Sequence, residues 1–139
     1  MSKYGIKLLW AGWRDEEVIG FSPRAYEHWK DDIQPGTRML IYETTVQRPG
    51  ENFKSAKGII GEVEVIEGFA KSAGLVTPTE EHNHALYVKV IRGRDIVTPI
   101  PLEKVRTILA KPKFPQQGEA WHPIFETMYR DFIKIWDKR

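Results

Sequence analysis

The sequence predicts a mixed α/β fold: a partly open β-barrel of five to six strands with about three flanking helices. Three observations carry that prediction. Strand-like runs are joined by turns and interrupted only by single helices, whereas a doubly wound parallel sheet wants a helix between nearly all of its strands. The last segment repeats apolar residues at the helical period. The 139 residues, 41% of them hydrophobic and 12% aromatic, suffice for the core of one domain spanning 1–139 without a covalent staple.

The elements follow in order. Residues 4–10, Tyr-Gly-Ile-Lys-Leu-Leu-Trp, crowd aromatic and aliphatic side chains into a short run and read as the first strand. The stretch from Ala11 to Phe21 reads as a loop. Ser22-Pro23 starts a helix, because a hydroxyl can cap free amides and the N–H that proline lacks is not needed in a first turn. That helix is expected to run to about Asp32, before the turn Gln34-Pro35-Gly36-Thr37.

Arg38–Val46 is the clearest strand, followed by a polar excursion from Gln47 to Lys57 that contains Pro49-Gly50. Gly58–Ile66 is a second strong strand, with Ile59, Gly61, Val63 and Val65 expected on one face. A long hairpin tip between such strands is a place where ligands are often met. Residues 67–84 read as irregular, Leu86–Ile91 and Ile96–Ile100 as strands around the turn Arg92-Gly93-Arg94-Asp95, and Pro101–Arg106 as a short helix. Lys111–Glu119 reads as a loop. Phe125, Met128, Tyr129, Phe132, Ile133 and Trp136 then form one stripe of an amphipathic helix ending near Trp136-Asp137-Lys138-Arg139.

Composition excludes several classes of function. With no cysteine, disulfides, thiolate catalysis and cysteine-based metal sites are gone together. No apolar run approaches the roughly 18 residues of a membrane span, and a soluble cytoplasmic protein, expected to be monomeric, is the plain reading. A net charge of +2 is too weak a field to coat duplex DNA, so any nucleic-acid recognition must come from a pocket.

No nucleophile elbow, Walker loop or dinucleotide fingerprint is present, so no cofactor is expected and binding is expected rather than catalysis. The acidic runs Asp15-Glu16-Glu17 and Asp31-Asp32 read as solvated surface. His82 and His84, after Glu80-Glu81, share a face if extended, yet no third ligand stands at motif spacing and a polar loop is the expectation; no metal is assigned.

From Ile33-Gln34-Pro35-Gly36-Thr37 onward the order of motifs resembles the EVE-domain family of the PUA-like superfamily, related to YTH and ASCH domains. That family shows a helix, a hydrophobic-x-Pro-Gly-Asp turn and a strand ending in an aromatic residue, here Tyr42. A Gly-hydrophobic-Gly-x-x-x-Val strand follows, here Gly58-Ile59-Ile60-Gly61-Glu62-Val63-Glu64-Val65. A Pro-hydrophobic-Pro-Leu step, here Pro99-Ile100-Pro101-Leu102, a Gln-Gly element, here Gln117-Gly118, and a closing helix complete it. The order holds from Tyr4 to Trp136. Thr37 stands where the family has Asp, and Ile19-Gly20-Phe21-Ser22 where a tryptophan is often found.

The resemblance implies a nucleic-acid-binding module. YTH domains bind N6-methyladenine in RNA, and some EVE-like domains at the front of modification-dependent restriction systems read a modified base flipped out of DNA. The implied partner is DNA or RNA carrying a modified base, methylated cytosine or adenine, within a restriction or RNA-modification system. Flipping a base costs a few kcal/mol, and stacking on aromatic faces returns roughly 1–3 kcal/mol per base.

On that reading Trp10 and Trp13, at the end of the first strand, are candidate walls of the pocket, with core and barrel mouth as their alternative roles. Phe21 and Ser22 fall where the family's pocket residues map, and Ser22 is equally an N-cap. Trp121 and His122 lie in the region that lines the family's pocket. Tyr42 and Thr44 end the strong strand on one face and are candidates for the mouth, with interior packing the expected role of Tyr42. Lys104, Arg106, Lys111 and Lys113 would hold phosphates. Trp29 and Trp136 read as core. Two alternatives stay open: an ASCH-like binder of small molecules or nucleosides with hydrolytic activity, for which Glu43 and Glu119 are first candidates, and a protein-interaction domain with a flat apolar patch.

Overall fold

A computed structural model describes residues 2–47, 50–71 and 84–138. Its elements are β1 (Tyr4–Ala11), β2 (Val18–Phe21), α1 (Pro23–Trp29), β3 (Arg38–Gln47), β4 (Gly58–Lys71), β5 (His84–Arg92), β6 (Ile100–Pro101), α2 (Leu102–Leu109), β7 (Trp121–Pro123) and α3 (Glu126–Asp137). The strands form one curled half-barrel sheet in the order β2-β5-β4-β3-β1-β7, with β6 pairing β4 off that path. β1 and β3 run parallel across the α1 connection, and every other pair is antiparallel. Among the described residues no helix is long and apolar enough to cross a membrane.

Alternation along the strands builds a core on each face. Ile6 and Leu8 of β1 and Leu40 and Tyr42 of β3 pack against Val105 and Leu109 of α2 and Phe132 and Trp136 of α3. On the concave face Met39, Ile41, Val63, Val65, Leu86 and Val88 pack with Trp13, Phe21 and Trp121, and half-buried Trp29 joins them. The α3 stripe of the sequence packs from Met128 to Trp136, whereas Phe125, at the N-cap, is 73% exposed and stands outside it.

β4 does not keep one face. Opposite β3, Ile41 pairs with Gly61 but Tyr42 with Ile59, so Ile60 is an extra residue. The bulge sends Ile59 to the helix side while Val63 and Val65 stay concave, and the single face expected for Ile59, Gly61, Val63 and Val65 is divided.

Other differences are local. Val18–Phe21, expected as loop, pairs with β5, and β4 runs on to Lys71. α1 stops at Trp29, whose carbonyl takes the amides of Asp32 and Ile33 in a closing turn. Ile96–Thr98 is no strand, because Asp95 Oδ1 accepts from the amides of Val97 and Thr98, both at 2.9 Å, and holds a turn. α2 extends to Leu109. At Gly36, with φ +93°, the turn into β3 needs a residue without Cβ. Thr37 ties the turn together: its Oγ1 accepts from Gln34 N and donates to the Ser2 carbonyl. Arg48, Pro49, Glu80, Glu81, His82 and Arg139 lie outside the described residues.

Candidate functional site

The curled sheet leaves its two sides unjoined, and between them runs a groove of about 470 Å³. Lys7–Trp10 of β1 form its floor, Gly20, Phe21 and Ser22 one wall, Thr44–Val46 of β3 its far end, and the loop Pro115–Ala120 the other wall. That loop continues the pairing of β7, with Leu8 N donating to the Ala120 carbonyl at 3.0 Å.

Lys7 is the unusual member. Its register places it beside Ile41 of β3 and Trp121 of β7, so its side chain enters the concave interior and is 3% exposed. Nζ donates to the Leu8 carbonyl at 3.1 Å and stands 4.4 Å from the centre of the Phe21 ring. Among the described residues no carboxylate pairs with it, and burial alone pushes its ammonium down to about 7. Three arginines of the fold, by contrast, are paired: Arg38 with Glu62 and Glu64, Arg94 with Glu43, Arg92 with Asp137. The sequence carried a signal for Lys7, a lysine inside an aliphatic strand, which the reading of residues 4–10 passed over.

The groove brings together Trp10, Phe21, Ser22 and Thr44 of the candidates. Phe21 is fully buried beneath it, and Trp10 and Thr44 are half-buried at its sides. Ser22 lines the groove and caps α1, accepting from Ala25 N at 3.2 Å. A second concavity of about 640 Å³ shares Ser22 and Gln117–Ala120 with the groove and adds Arg24, His28 and Trp29.

The remaining candidates lie elsewhere. Trp13 is 1% exposed and its ring covers Gly61, where a Cβ would sit 2.6 Å from it. Trp121, also 1% exposed, borders the second concavity rather than the groove, covers Gly5 in the same way and donates its Nε1 to Asp32 Oδ2 at 3.1 Å. Tyr42 is buried edge-on against Phe114 on the helix side, and burial raises its phenol above the ordinary value. His122 and Lys111 line a different concavity with Tyr4, Phe125 and Met128. Lys104 and Lys113 are exposed outside the groove, and Arg106 donates Nε to the Phe114 carbonyl at 2.7 Å.

Of the two acids named for the small-molecule alternative, Glu43 is fully buried and accepts from Gly12 N, Ala56 N and the Arg94 guanidinium. It ties the end of β1 to the β3–β4 connection and to the turn after β5. Glu119 lines the groove and is held in a close contact by His122 Nδ1. Among the described residues no group of three His, Asp or Glu side chains is placed to hold a metal; His84 instead stacks on Tyr26 at 4.0 Å.

No protein-family model matches the sequence, and no curated protein does. Solved structures do. The chain is similar to human THYN1 in complex with 5-methylcytosine-containing DNA, at 13% identity over 99% of each chain and a TM-score of 0.62. It is similar to the YTH domain-containing protein mmi1 in its RNA complex, at 8% identity over 96% of this chain and 82% of that one, with a TM-score of 0.62. An ASCH protein from Zymomonas mobilis matches at 17% identity, over 95% and 94% of the two chains, with a TM-score of 0.55. A curled half-barrel with three helices, shared over nearly the full length of these chains, is the PUA-like fold of EVE, YTH and ASCH domains.

Proposed function

We propose that the chain is a nucleic-acid-binding module whose groove takes one base turned out of its strand. The observation that carries the reading is the groove itself. It combines a size within the roughly 300–1,000 Å³ of small-ligand sites, the half-buried apolar side chains of Leu9 and Trp10 along β1, and a few polar groups in Lys7, Ser22, Thr44 and Gln117. Aromatic faces accept any base by stacking, and hydroxyl and amide groups read its edge. THYN1 with methylcytosine DNA and mmi1 with RNA support a nucleic-acid partner on this fold. A modified base is the ligand this lining favours, since a methyl group is at home against the half-buried face of Trp10.

Fluorescence polarisation at fixed salt tests it, with unmodified, 5-methylcytosine, 5-hydroxymethylcytosine and N6-methyladenine oligonucleotides of DNA and RNA. Preference for one modified base, weakened at least tenfold in Trp10→Ala with the melting temperature unchanged, is the expected result. A tenfold loss is 1.4 kcal/mol, inside the roughly 1–3 kcal/mol that one stacked base supplies. Equal binding to every oligonucleotide, vanishing as salt rises, refutes it.

One observation favours a second reading. A lysine with a strongly lowered pKa in a ligand-sized groove is what an ASCH-like small-molecule or nucleoside site would hold. Saturable binding of free nucleosides without binding of oligonucleotides would put that reading first.

A further inference from the structure

Burying a lysine without a carboxylate partner is costly, and a methionine of similar length would fill the same space without that cost. Lys7 is nonetheless placed on the groove floor, where no other lining residue carries an amine. Its Nζ donates one hydrogen to the Leu8 carbonyl, which fixes the nitrogen's orientation. Nothing acidic competes for it: Glu119, the one carboxylate among the groove's lining residues, is engaged by His122 and by Gln116 N.

We propose that Lys7 is a carbonyl-capturing residue, its amine condensing reversibly with an aldehyde on the ligand that enters the groove. The nitrogen lone pair forms a C–N bond to the carbonyl carbon while the C=O π pair moves to oxygen. The nitrogen's two protons leave with that oxygen as one water, and a C=N bond remains. No oxidant or reductant takes part. Desolvation on the floor supports the chemistry twice, by keeping the amine in its neutral nucleophilic form and by excluding the water that would hydrolyse the imine. The inference needs the groove to be a ligand site but does not need that ligand to be a nucleic acid.

The test traps the imine. The full chain is incubated at pH 7 with sodium cyanoborohydride and one of three probes: a 5-formylcytosine oligonucleotide, its 5-methylcytosine counterpart, or salicylaldehyde. Adducts are located by peptide mass spectrometry. About half of Lys7 is neutral at pH 7, against roughly one part in 2,500 for an ordinary lysine. Salicylaldehyde should therefore label Lys7 at least tenfold faster than the surface lysines, after allowance for the weaker nucleophilicity of a less basic amine. The formylated oligonucleotide should give an adduct at Lys7 that the methylated one does not, and that Lys7→Met, verified as folded by circular dichroism, abolishes.

Selective labelling by salicylaldehyde without capture of the oligonucleotide upholds Lys7 as the capturing residue and assigns the aldehyde to small molecules, against the nucleic-acid reading. Labelling of Lys7 no faster than of surface lysines by either aldehyde overturns the inference, and leaves polarisation with the methylated oligonucleotides to decide the base-binding reading independently.

Discussion

Replacing Lys7 by methionine should change not only the stability of the fold but the way that stability depends on pH. The folded chain holds the Lys7 ammonium at about 7, against 10.5 when it is solvated. Between those values the unfolded chain binds a proton that the folded chain does not, so stability must rise with pH across that window. Below pH 7 both states are protonated and the full desolvation penalty is present; above about 10.5 both are neutral and it is gone. Each pH unit well inside the window is worth up to about 1.4 kcal/mol, and integration from pH 7 to 9 gives about 2 kcal/mol.

Other groups titrate over the same range, and the comparison with Lys7→Met removes them. Methionine fills similar space on the concave side of β1, between Phe21 and Trp121, and carries no charge at any pH. Urea unfolding of both proteins at pH 6, 7, 8 and 9 measures the difference. The variant should be the more stable at pH 6, and its advantage should shrink by about 2 kcal/mol between pH 7 and 9. A difference that stays constant with pH would mean that Lys7 is solvated, and the groove floor as described would be wrong.

Two further changes probe the frame around the groove. Glu43→Gln presents an amide NH₂ to a site where Gly12 N, Ala56 N and Arg94 all donate, and should cost about 3 kcal/mol in urea unfolding, within the range for breaking a buried ion pair; a loss below 1 kcal/mol would refute the role of Glu43 as the tie between those three segments. Gly61→Ala drives a methyl group to 2.6 Å from the Trp13 ring and 2.8 Å from the Arg92 carbonyl, and should lose about 1–3 kcal/mol by overpacking. Gly68→Ala, with nothing within 4 Å of the added carbon, should be near neutral, and equal losses at the two glycines would refute the packing argument.

Much of the frame was readable because it is local. Arg38–Val46 crowds Met39-Leu40-Ile41-Tyr42 and then Thr44, Thr45 and Val46 into one run after a Pro-Gly turn, which suffices to mark a strand, and Phe125–Trp136 declares its helix by period alone. The Pro35-Gly36 turn announces its positive φ. β2 and β7 were not readable, because runs of four and three residues carry no period, and only their partners β5 and β1 make them strands. The bulge at Ile60 is equally a property of pairing.

Within the site, Phe21 and Ser22 were legible through motif position, and Trp10 through its place at a strand end. The pairing of Trp121 with Gly5 and of Trp13 with Gly61 was not. Each tryptophan lies far along the chain from the glycine that makes room for it, and a tryptophan in a loop looks the same in sequence whether it walls a pocket or seals a core.

The position of Lys7 and the openness of the sheet have one common cause. A fully closed barrel would join β2 to the β1–β7 side and remove both edges, leaving no room for a groove between them. Here β7 and one further bond, from Leu8 N to the Ala120 carbonyl, line part of the β1 edge, and β2 does not pair with that side, so the seam stays open. The groove along that open seam reaches down to β1, and the buried inward residue lining it there is a lysine rather than an aliphatic. Stability alone would favour closing the seam and replacing that lysine. The chain does neither, and both departures meet at Lys7.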